Sequence, residues 1–345
     1  MTMLVRTTVA YQRIHQIGAG EGRNSIVYLA RDEQFGGDIV VKEVPKADFR
    51  LPERYFDEAQ ALYAARSQNV VPLHWASQTN DLICLAMPHY PQGSLARRIE
   101  HGPLLVREVV RIAQEVCAGA ATVHRAQLLH LDIKPSNVLF NEVGNALLAD
   151  FGQAVDVGNY GVATGSMRVY QLCAPPELLI GRGAAIPSDV FQLGMTLYRA
   201  ANGSPFFHSQ VLKAESDGLF GAIVAGKFPT RDYLPHVPRT LRTVLSRAMS
   251  VDPAERYQSA TELAEAVAAV RVELDWHVDM SDPDVTAWRA DRDGRASIEV
   301  HRITRGRRYN VEARRGGRSI RAYCAADLNA AAATRLLNRC FRKLR

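Results

Sequence analysis

The sequence predicts an α+β chain in which a strand-rich lobe precedes a helix-rich lobe and a small ββββα unit follows. Three observations carry this. From Tyr11 to about Ala47, short apolar runs alternate with Gly-rich breaks such as "IGAGEG" and "FGGD", the pattern of a β-meander. From "REVVRIAQEVCAGAATVHRA" onward, apolar residues recur at helical spacing, with Val109, Ile112, Ala113, Val116 and Ala120 on one stripe. Near the end, "TAWRA", "ASIEVHRI", "RYNVEAR" and "SIRAYCA" are separated by Asp293-Gly294, Gly306 and Gly316-Gly317, so four strands are expected there.

The remaining elements follow in order. "PERYFDEAQALYAAR" reads as a helix, with Pro52 suited to its first turn, acids early, Arg66 late, and Phe56, Ala59, Leu62 and Tyr63 on an apolar face. "DLICLAMPHY" reads as a buried strand ending at Pro88. The second helical run closes near Arg271. "ELDWHVDMSDPDVTA" is acidic, holds Asp282-Pro283 and lacks periodicity, so residues 273–287 are expected to be a linker between a body of residues 1–272 and a unit of residues 288–345. Asp327 is placed to cap a last helix with a stripe of Ala332, Leu336, Leu337, Cys340 and Phe341.

Composition narrows the class. The chain has 345 residues, 47% hydrophobic and 23% charged, more than one core readily serves. Cys84, Cys117, Cys173, Cys324 and Cys340 are widely spaced and odd in number, which suits reduced thiols in a cytoplasmic protein. No stretch approaches the ~18 apolar residues of a membrane span, and nothing at the start resembles a targeting signal, so a soluble protein away from membranes is expected. Charge is uneven. Residues 276–345 hold 16 Lys and Arg against 8 Asp and Glu, out of 42 and 36 in the chain, which leaves 26 against 28 for the body.

One stretch, "LLHLDIKPSNVLF", sets His130, Asp132, Lys134 and Asn137 between apolar flanks, and eighteen residues after Asp132 comes "LLADFGQA" with Asp150. Either motif alone is an ordinary capped turn. Together, in this order, they resemble the catalytic and metal-binding loops of eukaryotic-like serine/threonine protein kinases, which implies a bilobal protein-kinase-like fold. Phosphoryl transfer to a hydroxyl needs a carboxylate to take the proton and cations to screen the phosphate oxygens. The resemblance implies that Asp132 takes the proton, that Asn137 and Asp150 hold Mg²⁺ (or Mn²⁺), and that Lys134 steadies the γ-phosphate of ATP.

Further motifs extend the resemblance over residues 11–270. "GEGRNSIVYLA" resembles the phosphate-covering loop: Gly20 and Gly22 match its first two glycines, Ser25 stands where the third is usual, and Val27 follows, while Gly18 to Gly20 offer a second register. "DIVVKEV" puts Lys42 in an apolar strand where an ammonium needs an anion; the family pairs it with ATP phosphates and a helix glutamate, here Glu58. "LICLAMPHYPQGSL" resembles the hinge, with Met87 behind the adenine and Pro88 and Tyr90 presenting a C=O and an N–H to its edge. "APPELL" with Glu177, "SDVFQLG" with Asp189 and "DPAERY" with Arg256 follow in order, and Glu177 and Arg256 are expected to form a structural ion pair.

Departures from the family matter too. Leu131 replaces the arginine that reads a phosphorylated activation loop, so the expected activity does not depend on that phosphorylation. The Gly-Thr pair before the APE-like motif is absent, with Thr164-Gly165 and Ser166 upstream and Tyr170 near the threonine position. A protein hydroxyl is the expected phosphoacceptor. A pseudokinase that senses nucleotide and a kinase of a small-molecule hydroxyl are the alternatives. In the tail, if Ile298, Val300, Tyr309, Val311, Ile320, Ala322 and Cys324 face the last helix, Arg308, Arg314 and Arg321 share the opposite face. That face suits nucleic acid or another polyanion, or is simply a solvated surface.

Overall fold

A computed structural model of the chain describes residues 7–18, 25–49, 52–157, 161–163, 170–292 and 295–344. The first lobe is an antiparallel sheet of β1 (Tyr11–Ile17), β2 (Ile26–Asp32), β3 (Asp38–Pro45), β4 (Trp75–Gln78) and β5 (Leu82–Pro88), in the order β1-β2-β3-β5-β4. Strand alternation sorts its residues. Ala30, Ile39, Val41, Cys84 and Ala86 cluster together, while Ile83 and Leu85 meet Ala59 of α1 (Asp57–Ala64). Lys42 pairs with Leu85 across the ladder, and alternation from Val41 puts its side chain toward α1. Within the expected helical face Tyr63 departs: it is 62% exposed, and the Arg66 guanidinium covers its ring at 3.8 Å.

The second lobe is helical: α2 (Leu95–Arg98), α3 (Val106–Arg125), α4 (Pro176–Leu179), α5 (Ile186–Asp217), α6 (Leu219–Val224), α7 (Arg239–Ala248) and α8 (Ala260–Ala268). The predicted α3 stripe is fully buried in a core shared with α5, α7 and α8. The α5 run bends at Gly203, whose φ of 78° interrupts the helix. A Cβ there would lie 2.5 Å from the Gly102 carbonyl carbon, so only glycine allows this close approach. Two short antiparallel pairs, β6 (Leu128–Leu129) with β9 (Val155–Asp156) and β7 (Val138–Phe140) with β8 (Ala146–Leu148), frame the loops that carry the candidate site.

The tail differs from expectation. Its sheet has six strands: β10 (His277–Asp282), β11 (Val285–Arg292), β12 (Arg295–Arg305), β13 (Arg308–Arg315), β14 (Arg318–Ser319) and β15 (Ala325–Leu328). Residues 277–282 are thus an edge strand, where a linker was expected over 273–287. Their alternation is weak because only Val278 and Met280 are half-buried among polar neighbours. The fourth expected strand, "SIRAYCA", is instead a 3-10 turn at Arg321–Tyr323 between two short strands. The last helix, α9 (Ala330–Lys343), buries Ala333, Leu337 and Cys340 against Trp288, Ile298, Val300, Val311 and Ala313. Its cap is Asn329, which accepts the Ala332 N–H at 2.9 Å, and not Asp327.

The expected basic face is in part charge-paired. Arg308 makes a bidentate bond to Asp327 at 2.8 Å from both Nε and Nη2, Arg314 pairs with Glu312 at 3.0 Å, and Arg321 lies in the turn. Nucleic-acid binding by this face is not supported.

The tail is sewn to the second lobe. Asp275 accepts the Val106 and Arg107 backbone N–H groups at 2.7 and 3.1 Å, satisfying two orphan donors at the start of α3. The buried Trp288 indole donates to Nδ1 of buried His236 at 3.2 Å. The Phe341 ring lies edge-on to Trp276, Trp288 and His236, with centroids 4.9, 5.4 and 6.3 Å away.

Candidate functional site

The cleft between the two lobes gathers most of the sequence-predicted residues. Lys42 on β3 is 8% exposed, and its Nζ donates to both carboxylate oxygens of Glu58 at 2.7 and 2.9 Å and to Asp150 Oδ1 at 2.7 Å. Burial alone would lower the Lys42 pKa; the Asp150 and Glu58 charges outweigh it and raise the value. The partners diverge. Burial pushes Glu58 up despite Lys42, whereas for Asp150 the Lys42 charge overcomes burial and holds the carboxyl at about 2. The Asp150 backbone has φ 62°, unusual outside glycine, and its side chain is 41% exposed in the cleft. A Cβ on the neighbouring Gly152 would sit 2.9 Å from Lys42 Nζ, so the glycine makes room for this cluster.

Asp132 and its neighbours form the second half. Its Oδ2 accepts from Lys134 Nζ at 2.7 Å and Asn137 Nδ2 at 2.9 Å, and Asn137 Nδ2 also reaches the Asp132 carbonyl at 2.9 Å. The Asn137 amide oxygen has no hydrogen bond among the described residues, so it and the part-exposed Asp150 carboxylate are groups that could hold a cation. Burial raises the Asp132 pKa, and Lys134 opposes the rise. His130 is fully buried, its ring against Phe151 at 4.7 Å and its Nε2 3.2 Å from the Ala149 carbonyl oxygen. Burial lowers its pKa, which suits a neutral scaffold imidazole.

The backbone of this loop is gripped from beneath by α5. The Asp189 carboxylate, fully buried, accepts the His130 and Leu131 N–H groups at 2.8 Å each, and His124 Nε2 lies 2.9 Å from it. Gln192 accepts the Ile133 N–H at 3.0 Å and donates to the Leu131 carbonyl at 2.8 Å. A buried carboxylate with three donors is compensated in place, and it holds Leu131 at φ 58°.

At the hinge, Met87 and Tyr90 join Leu139 in packing beside the buried Val71, Leu147 and Ala149. Val27 pairs with Lys42 across the ladder, and Ser25 is half-buried just before β2. Gly20 and Gly22 lie outside the described residues.

Two carboxylates, an amide and two ammonium groups gathered in one cleft, with Lys42 held by Glu58, make an arrangement suited to holding a nucleotide's phosphates. A family model for the protein kinase domain matches residues 11–267. The chain belongs to this family. Among its relatives, the serine/threonine-protein kinase PknJ of Mycobacterium tuberculosis is 29% identical over 263 residues, 72% of this chain and 44% of that protein. The serine/threonine-protein kinase PrkC of Bacillus subtilis is 26% identical, over 75% of this chain and 40% of its own length. The mitogen-activated protein kinase kinase kinase 8 of Rattus norvegicus is 26% identical over 75% of this chain and 54% of that protein. The chain thus spans less than half the length of these bacterial relatives. The family implies use of ATP with a divalent metal.

The kinase domain also contains contacts away from the cleft, one of them expected from the motifs. Glu177 and Arg256 do meet, at 2.7 and 2.8 Å through both oxygens, with Arg256 at 0% exposure. Leu139 carried no polar signal and was missed; its place between two motif loops was the only clue. The grip of Asp189 on the catalytic loop was legible as a motif but not as a contact, because 58 and 59 residues separate the partners. The Tyr170 ring lies 5.3 Å from Lys134 Nζ, close enough for a cation–π contact. Among the described residues no helix is long and apolar enough to cross a membrane.

Proposed function

We propose that this chain is a serine/threonine protein kinase that transfers the γ-phosphate of ATP to a protein hydroxyl, with Asp132 accepting the hydroxyl proton. The observation that carries the proposal is the convergence of Lys134 and Asn137 on one Asp132 oxygen while Lys42, Glu58 and Asp150 form a closed cluster. The donors to Asp132 orient its carboxylate, and burial raises its proton affinity toward that of a useful base. Lys134 is placed to contact the γ-phosphate, and Lys42, fixed by Glu58, to meet the other phosphates. Met87, Tyr90 and Leu139 supply apolar surface for the adenine, with the Pro88 carbonyl and Tyr90 N–H at its edge. Asn137 and Asp150 are the residues to hold Mg²⁺, with Mn²⁺ able to replace it. The bound ion supplies charge screening for the phosphate oxygens.

Activity independent of activation-segment phosphorylation belongs to the same proposal. Where the family's arginine would sit, Leu131 is 2% exposed and clusters with Leu129, Ala163 and Ala184, backed by Val155, Val157 and Ile186. Ala163 and Ala184 also bridge through reciprocal backbone bonds of 2.9 Å. Apolar burial thus secures the start of a segment whose Thr164 and Ser166 lie outside the described residues.

The deciding experiment is transfer of labelled γ-phosphate from Mg-ATP to the protein and to a generic basic protein, comparing wild type with Asp132→Asn while ATP binding is measured. Label transfer in wild type, reduced roughly 10²–10⁴-fold in the variant with ATP binding kept, is expected. ATP binding without any transfer would overturn the proposal in favour of a nucleotide sensor.

A further inference from the structure

The second lobe and the tail enclose a cavity of about 470 Å³ at their seam, open to solvent on one side. It lies between the 231–235 loop, α7 and α9, apart from the catalytic cleft. Its lining includes Arg231, Arg239 and Arg242 from the second lobe and Thr334 and Asn338 from the tail, with Asp232 as the single acid. None of the three arginines is among the ion pairs of the described residues, in contrast to the cleft, where Lys42 and Lys134 each meet a carboxylate. Asp232 instead accepts a bond from the Thr230 hydroxyl at 2.8 Å.

The two inner guanidiniums are anchored by neutral groups. Arg242 donates from Nε to the Val237 carbonyl at 2.8 Å and from Nη2 to the Pro235 carbonyl at 2.9 Å, leaving Nη1 without a bond among the described residues. Arg231 donates to the Met249 carbonyl. Carbonyl oxygens orient a guanidinium but do not neutralise it. Burial accordingly lowers the pKa of both arginines, with no carboxylate to offset it. Fixed cations in a concavity, ringed by hydroxyl and amide donors, are matched by a multiply charged oxyanion, which guanidinium recognises with directed N–H bonds.

We propose that this seam cavity is a binding subsite for a phosphorylated serine or threonine side chain of a protein. A phosphate monoester brings the charge and acceptor oxygens that the arginines lack, and the open side lets the attached polypeptide leave the cavity. The occupant is thereby a phosphoprotein that docks across the join of kinase domain and tail. The choice of phosphoserine or phosphothreonine rests on the serine/threonine kinase reading, whereas the anion subsite itself does not.

The test uses the full chain without ATP, so it is independent of catalysis. A fluorescent phosphoserine peptide, its unphosphorylated counterpart and inorganic phosphate are titrated at low salt into wild type, Asn338→Asp and Thr334→Glu. Asn338 and Thr334 are exposed, so their acidic replacements add repulsion without disturbing the core. The phosphopeptide is expected to bind wild type, and each variant is expected to weaken it roughly tenfold or more. Equal binding of the unphosphorylated peptide, unchanged binding in both variants, or no binding at all would overturn the proposal. Inorganic phosphate competing as tightly as the phosphopeptide would overturn the protein-borne occupant.

Discussion

The cleft and the seam both bury titratable side chains, yet they satisfy them in opposite ways. In the cleft, Lys42 meets two carboxylates and Asp132 meets an ammonium and an amide, so each charge has a counter-charge or donor within 2.9 Å. At the seam, His236 is held neutral, with burial pulling its pKa down to about 3, and its buried Nε2 has no hydrogen-bond partner among the described residues. Apolar rings from Trp276, Trp288 and Phe341 surround that contact. The contrast separates chemistry from assembly: paired charges keep groups ionised for use, while the Trp288–His236 contact of the seam is buried among apolar rings.

Substitutions on each side should therefore separate stability from turnover. Trp288→Ala removes a fully buried indole and is expected to cost about 3–5 kcal/mol of stability, read by chemical denaturation, with kcat at a permissive temperature unchanged. A matching loss of kcat in still-folded protein would break the comparison. Lys42→Met should do the reverse, lowering kcat by roughly 10²–10³-fold with folded protein retained. Should the two variants behave alike, the distinction between the regions is wrong.

The pH responses should also part. His236 has a folded pKa below its unfolded value of about 6.5, so its contribution is complete above that value and is lost as pH falls toward 3, with a slope of at most about 1.4 kcal/mol per pH unit. Asp150 is likewise depressed, to about 2, but from 3.8, so its contribution is intact at pH 5 and fades only between about 4 and 2. Denaturation midpoints across pH 7 to 4.5 should fall in wild type and flatten in His236→Gln; a slope that survives the substitution would remove His236 from this role. Smaller still, Asp275→Ala should cost about 1 kcal/mol by freeing two helix donors. Arg314→Ala, at an exposed pair, should cost less than about 1 kcal/mol in a melting curve.

Much of the cleft was readable in the sequence because its groups sit in short motifs whose order along the chain is fixed by the fold. Lys42, Glu58, Asp132, Asn137 and Asp150 announce themselves through residue type and spacing. What was not readable depended on partners far away in sequence. Nothing near Leu131 signals that Ala184 completes its apolar cluster, and nothing near Arg308 signals Asp327, which pairs one arginine of the expected basic face. β10 was hidden because an edge strand needs few apolar residues, and its acidic composition resembles a linker.

The cap supplied by Asp275 has a metric consequence. It sits at the first turn of α3, a helix of 20 residues and so about 30 Å long, and the last turn carries His124, 2.9 Å from the carboxylate that grips the catalytic loop. The tail and the loop that carries Asp132 thus hold opposite ends of one rod about 30 Å long.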